Sequence, residues 1–314
     1  MTDDTAADAP KAARLSETER EVVRRLSSGF GWPTVLLTVA LVAFEAGVIA
    51  LWVAGTLPLV VGFLLNTWAM YAMYTVHHDA THKAISQKNP KLAFWDQLCG
   101  TIVGTVMLIE FQSYAKNHLS HHAHTNTPKD PDLFVKGGIG ELPKKWLLST
   151  VLMVVGSLPR GADMNRAIMG KLGLPVSARY SDAQRKAIAR QRMLNRASLI
   201  ILIASIPLGV FVPVFFLWWL PARLSILVLM VLFQWLPHFP FDRTDRFGAT
   251  RITLWPGSTW MLLQQDRHLI HHLYPSIPWY RYRAAYRELL PLLREEGAII
   301  AGPGTEPRTP IQMR

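Results

Sequence analysis

Apolar and polar positions alternate along this chain in long blocks. Residues 33–55 are apolar except for Glu45, and residues 57–76 carry no charge. Each run is long enough to cross a ~30 Å hydrocarbon layer as a helix, and the uncharged link at 54–56 makes the two a hairpin. Residues 197–220 form a third uncharged run, and 224–236 a shorter fourth one after Arg223. The pattern predicts a second hairpin with its turn at 221–223 and Arg223 snorkelling at the far side. Lys and Arg flank the outer ends of the first hairpin, which places those ends in the cytosol by the positive-inside rule.

Residues 92–111 are also apolar, but they contain Asp96, Gly100 and Gly104. If they crossed, histidines on either side of them would lie on opposite faces of the bilayer. The expectation is a helix that lies in the interface or dips in and returns. The apolar stretch at 146–158 is too short to span. Residues 1–28 are polar and lack the design of a secretory signal. Ser16 and Glu19 form a capping box there, opening an amphipathic helix expected along the membrane surface. The chain then divides into a cytosolic segment (1–30), a membrane domain (31–298) and a mobile tail (299–314). The fold class is an all-α membrane protein of about four transmembrane helices in two hairpins, with a cytosolic helical cap.

Charge changes the picture little. The formal net charge of +11 flanks apolar runs and accompanies no nucleic-acid motif, which favours a membrane surface or an acidic partner over nucleic acid. Residues 180–196 carry Arg185, Lys186, Arg190, Arg192 and Arg196, a solvated face or a dock for an acidic electron donor. The single cysteine, Cys99, excludes an intramolecular disulfide framework and cysteine-based metal sites.

The chemistry lies in the histidines, of which 10 of 11 fall into three short clusters. His118, His121 and His122 stand at i, i+3 and i+4, as do His268, His271 and His272; His78 and His82 stand at i and i+4. These spacings project imidazoles from one helix face. Structural zinc closes at four ligands, whereas eight clustered imidazoles, or nine with His238, suit two adjacent metals. Iron is favoured because apolar substrates in a bilayer offer mainly C–H bonds. His77 and His124 are the extra members of their clusters. Asp79, Asp132 and Asp266 sit beside the clusters and are candidates to orient the imidazoles, with capping or surface roles as alternatives.

HDATH, HLSHH and HLIHH, in that order, resemble the three histidine boxes of the membrane fatty acid desaturase superfamily over roughly residues 57–285. The flanking HHAHTNTPKDPD, WLPHF and HLIHHLYPSIPWYRY resemble the cyanobacterial-type β-carotene hydroxylases within it. The resemblance implies metal ligation by His78, His82, His118, His121, His122, His268, His271 and His272, with His238 as the additional ligand. It implies two iron ions, O2 as co-substrate, and electrons from ferredoxin or a similar carrier. The function expected is a multi-pass oxidoreductase of a bacterial cell membrane with its metal site on the cytosolic face. β-Carotene ring hydroxylation is the first reading, acyl-lipid desaturation the second, and a non-enzymatic metal transporter or sensor a remote third.

Overall fold

The computed structural model describes residues 15–172 and 181–301, which are mainly helical. Helices α2 (Trp32–Val53) and α3 (Leu59–Thr81) form the first hairpin. Val35, Thr38, Leu41, Glu45 and Val48 recur every three to four residues on α2 and form its buried stripe. Leu36, Val39, Leu51 and Val53 are exposed, an apolar face suited to lipid and not to water. The second half of α3, from Ala69 to Thr81, is wholly buried, so it forms the axis around which the other helices pack.

Helices α4 (Ala93–Val106) and α5 (Phe111–His124) are bent by 103° relative to one another. The run expected at 92–111 to lie in the interface or dip in and return is therefore not one straight helix, and its break is clamped from three sides. Trp218 Nε1 donates to Val106 O at 3.0 Å, Arg223 Nη2 to Met107 O at 3.2 Å, and Gln191 Nε2 to Leu108 O at 3.1 Å. These carbonyls are the unsatisfied end of α4, so the donors replace the helical bonds that the bend forfeits. Glu110 then caps α5 by accepting from Ser113 N at 2.8 Å. Glycine is required at the close approach: a Cβ on Gly104 would stand 2.5 Å from Ile109 O and 2.7 Å from His77 Nε2.

Helices α6 (Leu142–Ser157) and α7 (Gly161–Lys171) lead to α8 (Asp182–Ala204), which is basic at its start and apolar at its end. The uncharged run at 197–220 is not one crossing: it is broken at 205–210, so the turn of the second hairpin falls there and not at 221–223, and its first arm, α8, is not among the helices apolar enough to span. Its other arm, α9, is one helix over Phe211–Trp235. Arg223 therefore lies within a buried helix face, bonded to the α4 carbonyls, and does not snorkel at the far side. The wide π turn at Phe215–Trp219 directly precedes Pro221, which has no N–H to offer residue 217. Among the described residues, three helices, α2, α3 and α9, are long and apolar enough to cross a membrane, and the bent pair α4 with α5 passes the same test jointly.

The cap is built from β1 (Arg251–Thr253), α10 (His268–Leu273), α11 (Tyr282–Glu295) and β2 (Ile299–Ala301). The strands pair in parallel with Ile252 opposite Ile300, so residues 299–301 are not a mobile tail; residues 302–314 lie outside the described residues. Helix α1 (Glu17–Leu26) has the expected capping box. Its apolar side, Val22 and Leu26, joins the cap core with Ile277, Tyr282 and Leu289, and so packs on protein where a membrane-surface position was expected. Glu19 fastens it by accepting from Tyr274 Oη at 2.6 Å and Arg246 Nη2 at 2.5 Å. Burial opposes ionisation of Glu19, yet these bonds and that from the Ser16 backbone outweigh it and hold the carboxyl down at about 2.

Candidate metal centre

Three helices and one loop bring the histidines together where α3 meets the cap. Helix α3 ends at His78 and His82, α5 presents His118, His121 and His122, and α10 presents His268, His271 and His272. His238 follows α9 in the irregular segment before β1. All nine expected residues share one cluster. One group comprises His78, His82, His118, His122 and His271, with one nitrogen of each within 4.8 Å of the others. A second, under the same limit, comprises His121, His238 and His272. His268 Nε2 joins the second group, 3.2 Å from His238 Nε2 and 3.1 Å from His272 Nε2. His122 links the groups, with its Nε2 2.7 Å from His271 Nε2 and its ring stacked on His272 at 4.2 Å.

Hydrogen bonding alone does not satisfy this arrangement. Both ring nitrogens of His78 and the Nε2 of His82 are buried without a partner. A neutral imidazole has one donor and one acceptor nitrogen, and several Nε2 atoms face one another at 2.7–3.2 Å. Lone pairs that converge in a buried space are costly unless a cation accepts them. The donor set therefore fits metal ions, and nitrogen donors of this kind suit iron, zinc, copper or nickel.

The acids that orient the imidazoles differ from those expected. Asp130 Oδ1 accepts from His121 Nδ1 at 2.8 Å, whereas Asp132 Oδ2 stands 3.8 Å away. Asp130 also accepts from Asn126 N and Asp132 N, each at 2.8 Å, so its carboxylate is rigidly placed. Asp79 accepts from Thr34 Oγ1 and Trp279 N, and thereby ties α2 and the cap to α3. Asp266 accepts from Ser258, Thr259 and Arg267. Neither of these two bonds an imidazole. The sequence reading passed over Asp130 and the Tyr282 hydroxyl, which lies 3.0 Å from His271 Nδ1. The spacing DPD offered two acids and no period to choose between them. His77 packs on Phe111 and Tyr114 and belongs to neither group, and His124 is also outside them.

A histidine cluster able to hold metal ions at the foot of paired apolar helices defines a class of integral membrane protein. Residues 50–302 match the fatty acid desaturase family, and the chain belongs to that family. It is 23% identical over 276 residues to a beta-carotene ketolase of Paracoccus sp., an alignment covering 81% of this chain and 95% of that protein. It is 23% identical over 279 residues to the sn-1 oleoyl-lipid 12-desaturase of Anabaena variabilis, covering 82% and 75%. The omega-6 fatty acid desaturase of spinach chloroplasts is 22% identical over 277 residues, covering 82% and 59%. The chain is accordingly an oxidoreductase of the desaturase type, related to carotenoid-modifying and acyl-desaturating enzymes.

Proposed function

We propose that this protein is a di-iron hydroxylase of a carotenoid ring, with the nine clustered histidines as its ligands. The observation that carries the reading is the division of nine imidazoles into two adjoining groups within a chain of this family. Two iron ions held there would supply reductive activation of O2, which is the chemistry an unactivated C–H bond requires. In balance, R–H, O2, two electrons and two protons yield R–OH and water. Asp130 fixes His121 with its Nε2 toward the cluster, and Tyr282 holds His271 in the same way. His78 lies in the wholly buried half of α3, and the exposed apolar faces of α2 and α9 suit a bilayer from which an apolar substrate would come. An acidic carrier such as ferredoxin would bring the electrons, in keeping with the net charge of +11, and the site would face the cytosol of a bacterium.

Support for a carotenoid substrate comes from the ketolase match, which spans nearly the whole of that relative, and from the motifs flanking the boxes. Acyl-lipid desaturation is the second reading, favoured by the two desaturase relatives; it uses the same residues, with removal of a second hydrogen replacing hydroxyl transfer. Expression in a bacterium that makes β-carotene separates them, with pigments and acyl chains profiled together. The expected result is an O2-dependent hydroxylated carotenoid that is absent with His271→Ala. Unchanged pigment with newly unsaturated acyl chains would establish the second reading instead.

A further inference from the structure

A cavity of 480 Å³ opens between α5, α6, α7 and α8, beside the histidine cluster and separate from it. Tyr114 forms part of its wall and stacks on His118 at 5.3 Å. Two of its lining residues, Lys116 and Arg192, are half-buried cations with no acidic or hydrogen-bonding partner among the described residues. Their neighbours on α8 are engaged: Arg190 with Glu110 at 3.1 Å, Arg196 with Ser157 O at 2.9 Å, and Arg185 with Asp182. Cations left partly out of water without a counter-ion are costly, so an anion is the occupant that their placement favours.

We propose that this cavity binds the headgroup of an anionic glycerophospholipid. The surroundings favour a lipid. Helix α8 becomes uncharged from Ala197 onward, and Arg192 stands five residues earlier, so the cavity lies where the basic stretch of the helix gives way to its apolar end. Leu152, Met153 and Ile188 line the same cavity and give the glycerol and upper acyl carbons an apolar wall. A further acceptor narrows the class. Asn165 Nδ2 donates to Leu152 O at 2.7 Å, while its Oδ1 is buried without a donor. Phosphate against Lys116 and Arg192, with a hydroxyl donating to Asn165 Oδ1, matches a phosphatidylglycerol-type headgroup. This ligand is independent of which substrate the histidine cluster serves.

The test uses the full chain purified in mild detergent, with bound phospholipid counted by native mass spectrometry after exposure to phosphatidylglycerol, phosphatidylcholine or inorganic phosphate. One phosphatidylglycerol per chain is expected, and the Lys116→Gln/Arg192→Gln pair should lower its occupancy at least tenfold. Lys186→Gln, on the same helix but outside the cavity, should leave occupancy unchanged. If the pair does not fold, Arg192→Gln alone should lower occupancy at least threefold. Occupancy equal to the native protein in the variant, equal retention of phosphatidylcholine, or displacement by millimolar inorganic phosphate as effective as by phosphatidylglycerol would each overturn the proposal.

Discussion

At the scale of single residues, one carboxylate deserves to be separated from its neighbour. Asp130 holds His121 at 2.8 Å and the backbone of Asn126 and Asp132 as well, whereas Asp132 reaches the same imidazole only at 3.8 Å. Partners of this kind orient a ligating imidazole, and losing one weakens metal binding by roughly 10–100-fold. Asp130→Ala should therefore lower the metal content of the purified protein sharply, as measured by elemental analysis, and Asp132→Ala should lower it far less. His77→Ala should leave metal content near that of the native protein, since its ring packs on Phe111 and Tyr114; full loss there would mean the wrong histidine was chosen beside Asp79. Eight of the imidazoles were legible because helical spacing puts chemistry into a period, and His238, which stands alone, was legible only through the family resemblance. Asp130, Tyr282 and Thr125, whose hydroxyl lies 3.5 Å from His272 Nδ1, were not, because long-range contacts leave no period behind.

At the scale of elements, the reversal between α4 and α5 decides whether the second histidine group reaches the first. Its expectation rested on geometry, since imidazoles sharing a metal cannot stand on opposite sides of a ~30 Å layer. The second hairpin was harder to read. An arginine amid apolar residues looks the same in sequence whether it ends a helix or, like Arg223, is buried and satisfied by carbonyls. Prolines at 207, 213 and 221 each offered a turn, and only the one at 207 lies in it. Gly104→Ala tests the reversal, because the added methyl meets the Ile109 carbonyl and His77. Overpacking of this kind costs about 1–3 kcal/mol. A lowered midpoint of thermal unfolding and partial loss of metal are expected, while Gly47→Ala on α2, with nothing within 4 Å of the new carbon, should be neutral or slightly stabilising.

At the scale of the whole molecule, the cap, α1 and the histidine-bearing helix ends pack as one unit, which the proposed metal centre requires to lie on one side of the membrane. Single cysteines at Lys83 and Lys129 should react with an impermeant reagent from the same face of sealed vesicles, and cysteines at Gly55 and Leu208 from the other. The native Cys99 is buried and should contribute little background. Labelling of positions 83 and 129 from opposite faces would rule out a shared centre. The cap has its own acid sensitivity. Glu19 is held at about 2 against an ordinary value of 4.5, so its contribution is complete above pH 4.5 and fades as pH falls toward 2. The thermal midpoint should drop on acidification through that window more steeply in the native protein than in Glu19→Gln.

The contacts of α1 also set an order of assembly. The helix at residues 17–26 leaves the ribosome more than 250 residues before Tyr282 and Leu289, which belong to the surface that receives Val22 and Leu26. His271 and His272 emerge more than 140 residues after His122, and β2, which ties down the strand preceding them, later still. Nascent chains stalled before residue 301 should therefore retain little metal, and loading of the proposed centre would follow translation.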